Sequence, residues 1–205
     1  MTWLLTRTGR EHSLTALPHP DTAPSITEIA WSLAHINRYT GHACRAYSVA
    51  EHSLLVADIA HNLGASKLTE LVCLWHDAHE CITGDVTSPV KAMLGSAWSV
   101  FEDFHQDGLL MAYDLLEPFR AVRDFVKQCD HVALATERRD LTPFNPIIHK
   151  PWPVIDTPGQ RVLPWHGAAL MQPSQVMRTP SQWAEKFEQR SEALFVALAE
   201  EAAAV

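Results

Sequence analysis

The sequence predicts an all-α helical bundle of one domain, preceded by a small N-terminal β-hairpin and interrupted by a long proline-rich loop. Apolar residues recur at three- and four-residue spacings along most of the chain, which is the period of an amphipathic helix. Alternation suited to strands is confined to residues 1–24. With 205 residues, 47% of them apolar, the chain can bury one sizeable core and is short for two. A single domain over 1–205 is therefore expected, with its motifs in 25–140, the loop at 141–179 and a last helix at 180–203.

Taken in order, Thr2 to Thr6 and Ser13 to Leu17 read as a hairpin about Thr8-Gly9, an appendage joined to the rest through Pro18, Pro20 and Pro24. Ser25-Ile26-Thr27-Glu28 is a capping box, and Ile29, Leu33 and Ile36 follow it as a helical stripe that ends at Asn37-Arg38-Tyr39-Thr40-Gly41. A second helix runs from Ser48 through Val49, His52, Val56, Ile59, Ala60 and Leu63 to Gly64. The apolar run Leu68 to Trp75 makes the third, which is expected to continue through His76 and Asp77 to Thr83-Gly84. Val86 to Lys91 reads as a connector, followed by a helical region from about Trp98 to Leu116 and a long helix with its stripe at 122, 125, 126, 129, 132 and 133. Residues 141–179 hold seven of the thirteen prolines and little periodicity, the pattern of a loop or lid. Thr179-Pro180-Ser181-Gln182 then opens a final helix whose Trp183, Phe187, Leu194, Phe195 and Leu198 can close the core or a subunit interface.

Composition narrows the function classes. The net charge is −8 and no run of lysine or arginine appears, which disfavours a nucleic-acid partner while leaving room for a local phosphate pocket. Cys44, Cys73, Cys81 and Cys129 form no C-x-x-C pair and read as reduced thiols. No apolar run approaches the roughly 18 residues of a membrane span, so a soluble, cytoplasmic protein is expected.

Twelve histidines invite a search for metal ligands. His52 falls within a buried stripe, where an isolated histidine is usually satisfied by one hydrogen bond. Here His76 and Asp77 arrive on the next helix at the end of an apolar run, and Asp130 stands between the stripe positions Val126 and Ala133. Burying two imidazoles and two carboxylates costs several kcal/mol unless they share a partner, and a divalent cation suits all four. Glu80 lies one helical turn beyond the dyad, and Thr83-Gly84 turns Asp85 back toward it. His42, His79 and His131 are left as outer groups or surface residues.

The ordered series His52, His76-Asp77, Asp130 resembles the HD-domain phosphohydrolases. Ile36-Asn37-Arg38-Tyr39, Ser48-Val49-Ala50-Glu51-His52, His76-Asp77-Ala78-His79-Glu80, Thr83-Gly84-Asp85 and Ser88-Pro89-Val90-Lys91 are similar to the bacterial 5′-deoxynucleotidase branch and its phage relatives. The resemblance covers residues 36–137 and implies an HD-domain bundle. It also implies that Arg38 and Lys91 grip phosphate, that Glu80 and Asp85 act in catalysis, and that Tyr39 and Pro89 touch base or sugar. Tyr39, the T-G-H loop and the hairpin look more like phage members, some of which are dATP triphosphohydrolases; a phage-encoded chain would work in the host cytoplasm.

A mixed N/O shell suits one tightly held Co²⁺, Mn²⁺, Mg²⁺, Ni²⁺, Fe²⁺ or Zn²⁺ with open positions, with further Mg²⁺ arriving on substrate phosphates. The expected reaction is hydrolysis of a dNTP, dATP first, to deoxynucleoside and triphosphate, by a homo-oligomer. Two alternatives accompany it: a 5′-deoxynucleotidase acting on dNMPs, and an HD module that binds a ligand without turnover. The last has no need of both Glu80 and Asp85, and the chain keeps both.

Overall fold

The computed structural model describes residues 2–204. Strands β1 (Trp3–Leu5) and β2 (Glu11–Ser13) pair antiparallel, with Trp3 opposite Ser13 and Leu5 opposite Glu11. The second strand thus starts earlier than expected, because Thr6 and Arg10 close a tight turn through the Thr6 N to Arg10 O bond of 2.8 Å. Nor is the hairpin a loose appendage. Arg10 pairs with the buried Glu28, and the Arg7 guanidinium lies 3.5 Å over the Trp31 ring.

The capping boxes work as the residue types dictate. Ser25 and Glu28 start α1 (Ile26–His35), Ser48 and Glu51 start α2 (Val49–Asn62), and Thr179 and Gln182 start the last helix. Between α1 and α2 the chain makes a 3₁₀ turn over Arg38–Gly41, closed by the bonds Arg38 N to Tyr47 O and Val49 N to Ile36 O.

Helix α3 (Lys67–Trp75) stops before the His-Asp dyad, which corrects the expectation of one continuous helix. Residues 76–79 are tight turns with i to i+3 bonds, Ala78 N to Trp75 O and Glu80 N to Asp77 O, before the short α4 (Glu80–Thr83). The His76 carbonyl freed by the break accepts a hydrogen bond from Gln106 Nε2 at 2.9 Å. The segment expected as a connector is helical as α5 (Ser88–Leu94), so Pro89 and Lys91 stand on a helix. Then come α6 (Ser96–Ala112), α7 (Leu116–Ala121) and α8 (Arg123–Leu141).

The proline-rich stretch contains two single turns, α9 (Pro153–Asp156) and α10 (Pro173–Val176). It is an ordered loop, pinned to α8. Arg138 of α8 forks onto Asp156, Arg139 donates to the Trp165 and Ala168 carbonyls, and Asp140 accepts from the Leu170 amide.

Helix α11 (Pro180–Ala203) closes the core. Trp183, Phe187 and Leu194 are buried on it, and Ser191 Oγ receives the Trp75 indole N–H at 3.1 Å. The fully buried Trp75 therefore anchors the end of α3, immediately before the dyad, against the centre of the bundle. No helix among the described residues is long and apolar enough to cross a membrane.

Candidate metal and catalytic site

Four predicted ligands meet where α2, the α3–α4 break and α8 come together. His52 Nε2 lies 3.3 Å from His76 Nε2, 3.2 Å from Asp130 Oδ1 and 3.5 Å from Asp77 Oδ2. Asp77 Oδ2 lies 3.2 Å from His76 Nε2. The imidazoles and Asp77 come from buried or nearly buried positions, whereas the Asp130 side chain keeps 34% of its exposure.

The ring tautomers decide what this cluster can hold. His52 Nδ1 sits 2.6 Å from Glu137 Oε1, a carboxylate that can only accept, so Nδ1 carries the hydrogen. His76 Nδ1 sits 2.7 Å from the Cys73 carbonyl and must likewise donate. With neutral rings both Nε2 atoms then point lone pairs at each other and at two carboxylates. Such an arrangement repels itself unless a positive charge stands among the donors. His52, His76 and Asp130 bring one donor atom each within 4.8 Å of one another, the spacing of a cation site, with Asp77 beside the two imidazoles.

The electrostatics agree. Burial and Arg38 pull the His52 pKa down, yet Glu137 and Asp130 outweigh them and push it up to about 10. Burial opposes ionisation of Asp77, but His76, His52 and Arg38 hold it well below the usual carboxylate range. Burial likewise opposes ionisation of Asp130, and His52 and His76 hold its pKa down. The cluster favours positive charge among its donors, which a proton on His52 or a cation can supply.

Sequence reasoning missed Glu137. It is completely buried on α8 and gathers four donors: His52 Nδ1, Tyr47 Oη at 3.1 Å, Tyr39 Oη at 2.7 Å and Arg38 Nη2 at 3.4 Å. One carboxylate thereby orients the candidate ligand His52 together with Arg38 and Tyr39. Tyr39 reaches it from a left-handed backbone, φ 59°, with Thr40 at φ 52° beside it. For residues other than glycine this costs on the order of 1–3 kcal/mol each. The Glu137→Gln variant is expected to bind metal about 10- to 100-fold more weakly, because an amide fixes the His52 tautomer less firmly. Competition against a chromophoric chelator measures this; an unchanged affinity would show that the His52 tautomer is set by other groups.

Arg38 lies 3.6 Å from Asp77 Oδ2, and its buried Nε has no partner among the described residues, leaving a donor free for an incoming anion. Glu80 is only 2% exposed, and its Oε2 is likewise unpartnered. Burial, then Asp77 and Asp85, raise the Glu80 pKa well above the carboxylate range against the pull of Arg38 and Lys91. Asp85 is also raised by burial, opposed chiefly by Arg38. These groups share one field with the four donors, whereas Pro89 is exposed in the first turn of α5. Lys91 pairs with Glu102. Of the unassigned histidines, His42 is exposed, His131 is half-buried, and His79 is buried with neither ring nitrogen hydrogen-bonded among the described residues.

The family model described as 5′-deoxynucleotidase YfbR-like matches residues 27–109. An uncharacterized Rhodobacter capsulatus protein is 33% identical over 140 residues, covering 63% of this chain and 71% of that protein. The uncharacterized Escherichia coli protein YfdR is 33% identical over 131 residues, 64% of this chain and 67% of that one. A Photorhabdus laumondii protein named 5′-deoxynucleotidase is 34% identical over 97 residues, 39% of this chain and 49% of its own length. The chain thus spans half or less of the length of the relatives named 5′-deoxynucleotidase that it matches. The match of residues 27–109 takes in Arg38, His52, the dyad, Glu80, Asp85 and Lys91, and stops before Asp130 and Glu137.

Proposed function

Because the chain belongs to the YfbR-like branch of the HD-domain phosphohydrolases, we propose that it is a metal-dependent hydrolase of deoxynucleotides that cleaves at the 5′-phosphate. The observation that carries this reading is the inward convergence of two imidazole lone pairs with Asp77 and Asp130, beside a buried glutamate and a partly unpaired arginine. His52, His76, Asp77 and Asp130 would hold the cation. When bound it supplies Lewis acidity toward a phosphoryl oxygen and lowers the pKa of a water.

The chain's own groups account for the remaining chemistry. Arg38, fixed by Glu137 and Asp77, presents its free donor to phosphate and balances charge developing on the phosphoryl oxygens. Glu80 and Asp85 divide the proton work, one accepting a proton from the attacking water and the other giving one to the departing 5′-oxygen. Keeping both carboxylates is what separates this reading from a binding module without turnover.

The first substrate is a deoxynucleoside 5′-monophosphate, which the names of relatives favour. A dNTP, dATP first, is the second reading. It is favoured by the different settings of the two cations, Arg38 at 13% side-chain exposure and Lys91 at 31%, which can bracket a chain of phosphates. Incubating metal-loaded protein with each dNMP and dNTP and separating the products tests both. Deoxynucleoside with orthophosphate supports the first reading, and deoxynucleoside with triphosphate the second. Under the second, Lys91→Ala should impair dNTP use far more than dNMP use. Release of neither product from any nucleotide leaves the non-catalytic module.

A further inference from the structure

We propose that Glu102 is a positioning residue for Lys91, holding its ammonium toward the mouth of the site where a phosphate oxygen can meet it. This rests on the phosphohydrolase reading above. Lys91 lies on α5 and Glu102 on α6, helices joined through Gly95, whose φ of 65° makes the reversal that brings the two side chains together. Lys91 Nζ stands 2.5 Å from Glu102 Oε1. His79, on the turn that carries the dyad, brings Nε2 to 3.6 Å from the same oxygen. The carboxylate therefore sits between the catalytic turn and the lysine.

The need for such a group follows from the charges around it. A lysine is a compact cation on a flexible four-carbon stem, and this one also feels the carboxylates of Glu80 and Asp77. Left alone, the ammonium would be drawn onto those groups, neutralising carboxylates assigned to metal and proton chemistry and leaving the phosphate approach without its second cation. Glu102 opposes that movement from a more open place: its side chain is 20% exposed, whereas Glu80 is 2% exposed. Burial resists charge on both members of the pair. Even so, His79 and Lys91 hold the Glu102 pKa below its usual range, and Glu102 keeps that of Lys91 above.

The same geometry answers a rival assignment. His79, Glu80 and Glu102 offer donor atoms within 4.8 Å of one another, the spacing of a small cation site. Lys91 already supplies the positive charge at Glu102, so the group reads as an internal ion pair, not as a second metal centre.

The test reads Lys91 directly and then its use. In metal-loaded wild type and Glu102→Gln, the rate of Lys91 acetylation by acetic anhydride is followed by mass spectrometry, with and without inorganic phosphate. Phosphate affinity is measured for wild type, Glu102→Gln, Lys91→Ala and the double variant. Without Glu102 the ammonium is drawn inward onto Glu80 and Asp77, so Lys91 should be acetylated several-fold more slowly in Glu102→Gln. The phosphate Kd should rise about tenfold in that variant and show no further change when the substitution is added to Lys91→Ala. Glu102→Asp, which keeps the charge on a shorter stem, should fall between, and equal Tm values would exclude unfolding as the cause. Unchanged acetylation, or the same loss of phosphate affinity with and without Lys91, overturns the positioning role alone. Failure of phosphate to protect Lys91 in the wild type removes Lys91 from the phosphate site and overturns the premise with it.

Discussion

His76→Ala is expected to leave the protein folded and without stoichiometric metal. Its Nδ1 is tied to the Cys73 carbonyl at 2.7 Å, so Nε2 has one direction available, toward His52 and Asp77. Removing it takes away one donor and leaves three others gathered about an ion they hold less well. Loss of an outer partner to a ligand costs roughly 10- to 100-fold in affinity, and loss of a ligand itself should exceed that. His52→Ala and Asp77→Ala should behave alike. Asp130→Ala should be the mildest of the four, because its carboxylate keeps 34% exposure and water can take over its place. Elemental analysis after gel filtration provides the check, with thermal melting to establish that each variant is folded. A variant that retains one equivalent of metal would take that residue out of the ligand set.

That these four residues could be assembled from sequence, while their surroundings could not, has a physical basis. His52, His76 and Asp77 lie on or at the end of strongly apolar helical patterns, and burial of those helices determines where the donors go. The break after Trp75 was not legible, because Glu80 at three and four residues beyond the dyad suits a continuous helix and a run of tight turns equally. Glu137 was hidden for a different reason. It opens the run Glu137-Arg138-Arg139-Asp140, which reads as a solvated helix end, and its burial depends on donors 85 to 99 residues away. One signal was present: Glu137 follows Asp130 by seven residues, two helical turns, and so shares its face. Those same charges hold the proline-rich loop in place. Arg138, Arg139 and Asp140 use their side chains to fix residues 156–170, and no local periodicity reports contacts of that kind.

Glu80→Ala should show the opposite pattern from the ligand variants, retaining metal while losing about 10²- to 10⁴-fold in turnover, the range for a side chain that moves a proton in the transition state. Among the described residues the Glu80 side chain makes no hydrogen bond or ion pair to the four donors, so its removal is expected to leave the shell intact. Its environment suits proton transfer. It is 2% exposed, Oε2 has no partner among the described residues, and burial with Asp77 and Asp85 nearby raises its pKa. A protonated acid of this kind can give its proton to the departing 5′-oxygen, while the cations Arg38 and Lys91, which pull its pKa the other way, ease the loss. Once the proton has gone, the buried carboxylate is poorly solvated and is driven to recover one before the next turnover. The loss should therefore fall on kcat, with KM little changed, because the role is exercised in the transition state and not in binding. Glu80→Gln, which keeps the shape and cannot give up a proton, should be as slow as the alanine variant. Steady-state kinetics on the best nucleotide, with metal content measured on the same samples, tests this. Activity within a few-fold of wild type in Glu80→Gln would move the acid role to Asp85, the other carboxyl in the pocket whose pKa burial raises.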